Sequence, residues 1–249
     1  MIEVKNLSFQ YREQAVFKEL NFALAKGEVL SILGANGVGK TTLIKCLAKI
    51  LTPSAGACRL QTSTGKEPRI AYVPQAKKLN FSYNVVEFVS FGRSALHSYL
   101  AKPTAADLCA AKQWLAKLGG TKLFSASINQ ISGGELQLCY IAKALVSEPD
   151  LLILDEPEAN LDFKHQTQLI HLLKELAQEY QMTIIMNTHF LNHAQRLADK
   201  CLIMSKESYQ FGTRDEILQE PILKKYFEAN VRKCSYTENG QQQTAFIIV

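Results

Sequence analysis

Nine consecutive residues, Gly34-Ala35-Asn36-Gly37-Val38-Gly39-Lys40-Thr41-Thr42, limit what this chain can fold into more than any other stretch. They follow a short apolar run, Glu28 to Leu33. They precede Leu43, Ile44, Leu47 and Ile50-Leu51 at helical spacing, with Pro53 beyond. The pattern G-x-x-x-x-G-K-[ST] between a strand and a helix lets successive backbone N–H groups turn inward around phosphate oxygens. The helix N-terminus adds partial positive charge. Lys40 is placed to bridge phosphate oxygens, and the Thr41 hydroxyl to ligate magnesium.

Strand and helix patterns alternate around this loop. Ile2 to Tyr11 and Val16 to Leu24 alternate apolar and polar residues, as half-buried strands do. Short apolar strands are expected at Ile70 to Val73, Leu151 to Leu154, Thr183 to Asn187 and Cys201 to Met204. Gly212-Thr213 to Leu218 reads as a closing strand and helix. Phe163 to Tyr180 repeats Leu169, Leu172-Leu173 and Leu176 on one helical face, and Leu191 to Ala198 is a shorter helix. Such alternation predicts an α/β fold, a parallel sheet covered by helices. Residues 81–148 differ: they carry helical patterns at Val85 to Phe91, Ala105 to Leu118 and Glu135 to Ser147. The expected division is therefore an α/β core of residues 1–80 and 149–232, an inserted helical subdomain of 81–148, and a short tail of 233–249. In that tail Gln241-Gln242-Gln243 reads as an exposed turn, while Trp114 and the leucine stripes read as core.

Two more segments carry chemistry. Leu151-Leu152-Ile153-Leu154-Asp155-Glu156 is an apolar strand ending in two acids. Buried carboxylates without partners are costly, so a pair here implies a use. Asp155 is expected to face magnesium through water, and Glu156 to polarise the water that attacks a phosphoryl group. Ile131-Ser132-Gly133-Gly134-Glu135 opens a helix, and Ser-Gly-Gly at that position builds a second phosphate cradle.

With these three segments in this order, the sequence resembles the ATP-binding cassette (ABC) ATPases, whose corresponding pentapeptide is Leu-Ser-Gly-Gly-Gln. The resemblance spans nearly the whole chain. It implies a P-loop NTPase: a RecA-like core with an antiparallel β subdomain and an inserted helical subdomain. It also implies a head-to-tail homodimer holding two ATP molecules with Mg2+. In that dimer Ser132, Gly133, Gly134 and Glu135 of one copy cap the ATP bound to Gly34 through Thr42 of the other. Tyr11 resembles the aromatic residue that stacks on adenine, with Phe17 as the alternative. Gln75 resembles the glutamine that senses magnesium and links the site to the helical subdomain. Asp162, in Pro157-Glu158-Ala159-Asn160-Leu161-Asp162, resembles the key acid of the loop crossing the dimer axis. His189 resembles the histidine that contacts the γ-phosphate. Ile131, Glu135, Lys143 and Glu158 depart from the usual residues, but none removes a catalytic group, so an active ATPase is expected.

Several other classes fall away. The longest largely apolar run, Asn84 to Ala101, carries Glu87, Arg93 and His97, so no membrane-spanning helix is expected. Met1-Ile2-Glu3-Val4-Lys5 lacks the pattern of a secretory signal, which points to the cytoplasm. The net charge of +5 is mild and spread along the chain, and no nucleic-acid partner is expected. Six cysteines without a Cys-x-x-Cys pair read as reduced, mostly buried thiols. His189 and His193 have metal-compatible spacing but no obvious third ligand.

Val86-Glu87-Phe88-Val89-Ser90-Phe91-Gly92-Arg93 and Leu161-Asp162-Phe163-Lys164-His165-Gln166 resemble the ATPases of bacterial metal-chelate importers, for siderophore, haem or cobalamin. The stretch from Phe81 to Pro103 also resembles the molybdate/tungstate importer ATPase, and should form the groove that receives a permease coupling helix. The resemblance implies a peripheral subunit on the cytoplasmic face of the inner (cell) membrane. Its partners would be an integral-membrane permease dimer and, indirectly, a periplasmic or lipid-anchored substrate-binding protein. A soluble, non-transport ABC ATPase is the alternative from another class.

Overall fold

The computed structural model describes residues 2–61, 68–77, 81–96, 102–159, 161–238 and 240–249. Its strands are β1 (Ile2–Tyr11), β2 (Gln14–Leu24), β3 (Val29–Gly34), β4 (Ala55–Leu60), β5 (Ile70–Val73), β6 (Leu151–Asp155), β7 (Thr183–Asn187), β8 (Lys200–Met204), β9 (Tyr209–Thr213), β10 (Val231–Glu238) and β11 (Gln241–Ile248). Its α-helices are α1 (Lys40–Leu47), α2 (Val85–Ser90), α3 (Ala105–Lys117), α4 (Gly133–Leu145), α5 (Phe163–Glu179), α6 (Leu191–Leu197), α7 (Arg214–Ile217) and α8 (Glu220–Phe227). The chain divides into two compact units, one of residues 1–67 and 174–249 and the other of 68–173. The boundary at 173/174 falls inside α5.

The first unit contains an antiparallel sheet in the order β2-β1-β4, with Ile2 opposite both Leu24 and Leu60. It also holds the strands β7-β3-β8-β9, of which β3 runs parallel to β7 and β8 while β9 is antiparallel. Every residue of β3 and β7 is buried, as central parallel strands covered on both faces require. The short tail forms most of a hairpin, β10–β11, in register from Val231↔Ile248 to Glu238↔Gln241, where a turn was expected at residues 241–243. Gln241, Gln242 and Gln243 lie in its second strand. Cross-strand pairing satisfies their backbone groups, which local polarity alone does not reveal. Local patterning does not mark β4, a largely exposed edge strand with little apolar alternation.

In the second unit β5 and β6 pair in parallel, with Val73 opposite Leu154. The helices α2, α3 and α4 pack against one another. Gly92 and Arg93 do more than end α2. They lie in a 3-10 turn (Phe91–Leu96), where a side chain on Gly92 would collide with the Lys143 carbonyl of α4. Arg93 donates from Nε to Asp107 Oδ1 at 2.8 Å and from its guanidinium to the Val146 carbonyl at 3.1 Å. Asp107 is buried and closes the capping box of α3 with Thr104. Arg93→Ala therefore strips the guanidinium from a buried carboxylate. The expected destabilisation is about 3 kcal/mol, read as a lowered midpoint in chemical denaturation.

Trp114 is half-buried rather than core: it lies beside the apolar stripe of Ala111 and Leu115, with Lys117 Nζ 4.9 Å from its ring centre. Cys46, Cys139 and Cys201 are buried, Cys58 and Cys234 half-buried, and Cys109 exposed. Among the described residues, no helix is long and apolar enough to cross a membrane.

Candidate functional site

The first unit builds a glycine-rich turn between a strand and a helix. β3 ends at Gly34, and α1 starts at Lys40 with Gly39 as its N-cap. Gly39 has φ 103°, and a Cβ there would lie 2.5 Å from Val16 Cγ1 on β2, so only glycine brings the loop this close. The N-cap makes no side-chain hydrogen bond to α1 and no acid occupies the first turn, which suits an anion at that end. Lys40 is buried, and its Nζ donates to the carbonyls of Gly34 and Ala35, both at 2.8 Å. The ammonium is thus folded over the mouth of the loop. Thr41 and Thr42 follow in the first turn of the helix.

His189 belongs to the same neighbourhood. β7 runs parallel to β3 with Ile32 opposite Asn187, and Thr188 N donates to the Ile32 carbonyl at 3.1 Å. His189 therefore leaves the sheet at the carboxyl end of β7, beside the strand end that opens the loop, and it is exposed. A cleft of about 400 Å³ lined by Val16, Phe17, Met204 and Tyr209 opens near the loop. Tyr11 does not line this cleft: it stands exposed at the end of β1 and packs edge-on against Phe9 at 4.9 Å. The described residues contain no group of three His, Cys, Asp or Glu suited to a metal, His189 and His193 included.

The second unit holds the acids. Asp155 ends β6 and is 8 % exposed, and Tyr72 of β5 donates its hydroxyl to Asp155 Oδ2 at 3.2 Å. Burial, and then the neighbouring Asp155 charge, push the Tyr72 hydroxyl above its ordinary pKa and keep it a donor. Glu156 has φ 48°, a left-handed backbone that non-glycine residues adopt at a cost and that concentrates at functional positions. Gln75 is exposed just beyond β5, and the next residue is anchored: Ala76 N donates to Oε1 of the buried Gln137 on α4 at 2.8 Å. No local spacing marks Tyr72 or Gln137, because both act across long sequence separations.

Ser132 caps α4 in a reciprocal box. Its hydroxyl accepts from Glu135 N at 3.2 Å, while Glu135 Oε2 accepts from Ser132 N at 2.9 Å. Lys122 Nζ lies 2.7 Å from Glu135 Oε1. Its ion pair, then the Ser132 N–H, lower the Glu135 pKa to about 2. Glutamate in place of the usual glutamine thus gains both a cap and a cation. Since about 2 lies below the ordinary value of about 4.3, this carboxylate stabilises the fold fully above the ordinary value, and the effect is lost as pH falls toward about 2. Glu135→Gln should therefore flatten the acid limb of a melting-temperature profile, and an unchanged limb would contradict the assignment.

Asp162 N-caps α5: its Oδ1 accepts from His165 N at 2.9 Å and meets His165 Nδ1 at 2.7 Å. These contacts, the backbone N–H first, hold its carboxyl below the usual range. Gln166 donates to the carbonyls of Glu158 and Leu161, bracing the loop before α5. Phe163 beside Asp162 is 87 % exposed. Asn160 of this loop, and residues 97–101 of the segment expected to face a permease, lie outside the described residues.

A glycine-rich loop between a parallel strand and a helix, with a lysine folded over it, defines a P-loop nucleotide-binding protein. Residues 17–159 match the pattern of the ABC transporter family. The molybdate import ATP-binding protein MolC of Haemophilus influenzae is 38% identical over 218 residues, which is 87% of this chain and 84% of that one. The petrobactin import ATP-binding protein FpuD of Bacillus anthracis is 33% identical over 91% of this chain and 86% of its own. A chain of an inward-facing transporter described as of metal-chelate type superposes with a TM-score of 0.91 at 35% identity, covering 100% of this chain and 96% of that one. The chain belongs to the ABC transporter family, as an ATP-binding, ATP-hydrolysing subunit.

Proposed function

We propose that this subunit powers import of a metal chelate, of the iron-siderophore, haem or cobalamin class, through a membrane permease dimer. It would sit peripherally on the cytoplasmic face of the cell membrane, with a substrate-binding protein delivering cargo from the other side. The likeness over the whole chain to a transporter described as of metal-chelate type carries this reading. The similarity to a molybdate import protein favours a second one, uptake of molybdate or tungstate.

In the proposed mechanism two copies bind two ATP molecules head to tail, and the exposed Phe163 beside Asp162 is the kind of apolar surface such a dimer covers. The loop N–H groups from Gly34 to Thr42 and the Lys40 ammonium hold the β- and γ-phosphates. Ser132 to Glu135 of the second copy cap the γ-phosphate. The Thr41 hydroxyl and the Asp155 carboxylate are hard oxygen donors of the kind magnesium takes, and Gln75 adds another. Bound magnesium offsets the phosphate charge. Tyr11 stacks on the adenine, with Phe17, which lines the cleft near the loop, as the alternative. Glu156 accepts a proton from water as its oxygen bonds to the γ-phosphorus, the bond to the ADP oxygen breaks, and His189 steadies the γ-phosphate. Dimer closure favours one access state of the permease, and hydrolysis resets it.

Uptake decides between the cargoes. Cells whose only copy carries Glu156→Gln should lose accumulation of radiolabelled ferric chelate and keep that of molybdate. Loss of molybdate uptake alone would replace the chelate reading with the second one.

A further inference from the structure

The hairpin β10–β11 has no part in the nucleotide chemistry described so far, yet it grips the helix that follows His189. Asn192, in the first turn of α6, uses both ends of its amide on one residue of β11. Oδ1 accepts from Phe246 N at 2.7 Å, and Nδ2 donates to the Phe246 carbonyl at 3.3 Å. The side chain thereby stands in for a paired strand. Phe246 itself is 7 % exposed and packs in a cluster with Leu33 of β3, Ala194 of α6 and Ile203 of β8. A second tie runs from the Arg196 guanidinium to the Tyr236 hydroxyl of β10 at 3.3 Å. The far side of the hairpin is fixed to α8, where Glu220 accepts from Lys233 N at 2.8 Å and from Arg232 at 3.1 Å.

α6 has seven residues, too few to hold a helical conformation or an orientation without tertiary contacts. His189 lies two residues before it and three before Asn192, on the stretch that leaves β7 beside the phosphate loop. His189 is held on the strand side, where Phe190 N donates to Thr188 Oγ1 at 2.9 Å, and on the other side by the start of α6, so the rotation of α6 bears on where His189 points. We propose that the β10–β11 hairpin is a brace for α6 and that Asn192 is a positioning residue, holding His189 toward the phosphate loop. This rests on the reading of His189 as the γ-phosphate contact.

The test is a double-mutant cycle in the full chain, with Mg·ATP turnover followed by release of radiolabelled phosphate. Asn192→Ala should lower kcat roughly tenfold, the scale of a small misplacement of a catalytic group, with KM for ATP little changed. Asn192→Asp keeps the acceptor for Phe246 N but sets a carboxylate oxygen against the Phe246 carbonyl, so it should recover only part of the rate. In a His189→Ala background, Asn192→Ala should cost nothing further, because its effect passes through the missing imidazole. An unchanged kcat, a lowered melting temperature without a kcat effect, or an equal loss in both backgrounds would overturn the brace. If His189→Ala alone turns over at the parent rate, the His189 reading itself fails, and the brace falls with it.

Discussion

Glu156→Gln is expected to leave Mg·ATP binding intact while hydrolysis drops by roughly 10²–10⁴-fold, the range a positioned general base supplies. Glutamine keeps the shape of the side chain and its hydrogen-bonding oxygen but cannot take a proton from water. The left-handed backbone at Glu156 is unaffected by this exchange, because the strain belongs to φ and not to the carboxylate. Binding and chemistry should therefore separate cleanly. With hydrolysis stalled, two copies should remain closed on two ATP molecules, visible as a doubled mass in light scattering with Mg·ATP and a single mass without it. Normal turnover by this variant would remove Glu156 from the role of base.

Lys40→Ala is expected to abolish tight ATP binding. The ammonium is buried and rests on the Gly34 and Ala35 carbonyls, so it is already positioned where phosphate oxygens would enter the loop. A hydrogen bond to a charged group contributes about 1.5–3 kcal/mol, and Lys40 would make charge-assisted contacts to more than one oxygen. A loss of affinity of about 100-fold or more follows from two such contacts, measured by calorimetric titration with Mg·ATP. The fold should survive, because alanine is a better helix former than most residues at the start of α1. An affinity within a few-fold of the parent would mean that the loop N–H groups suffice and the lysine assignment is wrong.

The parts of this molecule legible from sequence are those whose physics is local. The loop at residues 34–42 could be placed because its glycine spacing, the preceding apolar strand and the following helical stripe all lie within a few turns of chain. The all-buried strands β3, β6 and β7 announced themselves as short apolar runs. The paired acids Asp155 and Glu156 were visible for the same reason. What stayed hidden depends on distant partners. Tyr72 reads as a plain strand residue until Asp155, 83 positions on, accepts its hydroxyl. Gln137 looks like any polar helix residue until its amide meets the backbone of Ala76. The three glutamines at 241–243 read as a turn because their strand is held by cross-strand pairing, and the hairpin by Asn192 and Phe246. Glu135 departs from the usual glutamine, and its use shows only with Lys122 beside it.

As proposed, this ATPase drives a membrane permease. The most direct measurement is recovery of tagged Glu156→Gln from native membranes with Mg·ATP, followed by identification of the proteins that come with it. A polytopic permease should be captured with Mg·ATP and lost when Lys40→Ala is added. Recovery of ribosomal, DNA-associated or other soluble partners with no permease would contradict the transport account and make this a cassette that drives something else.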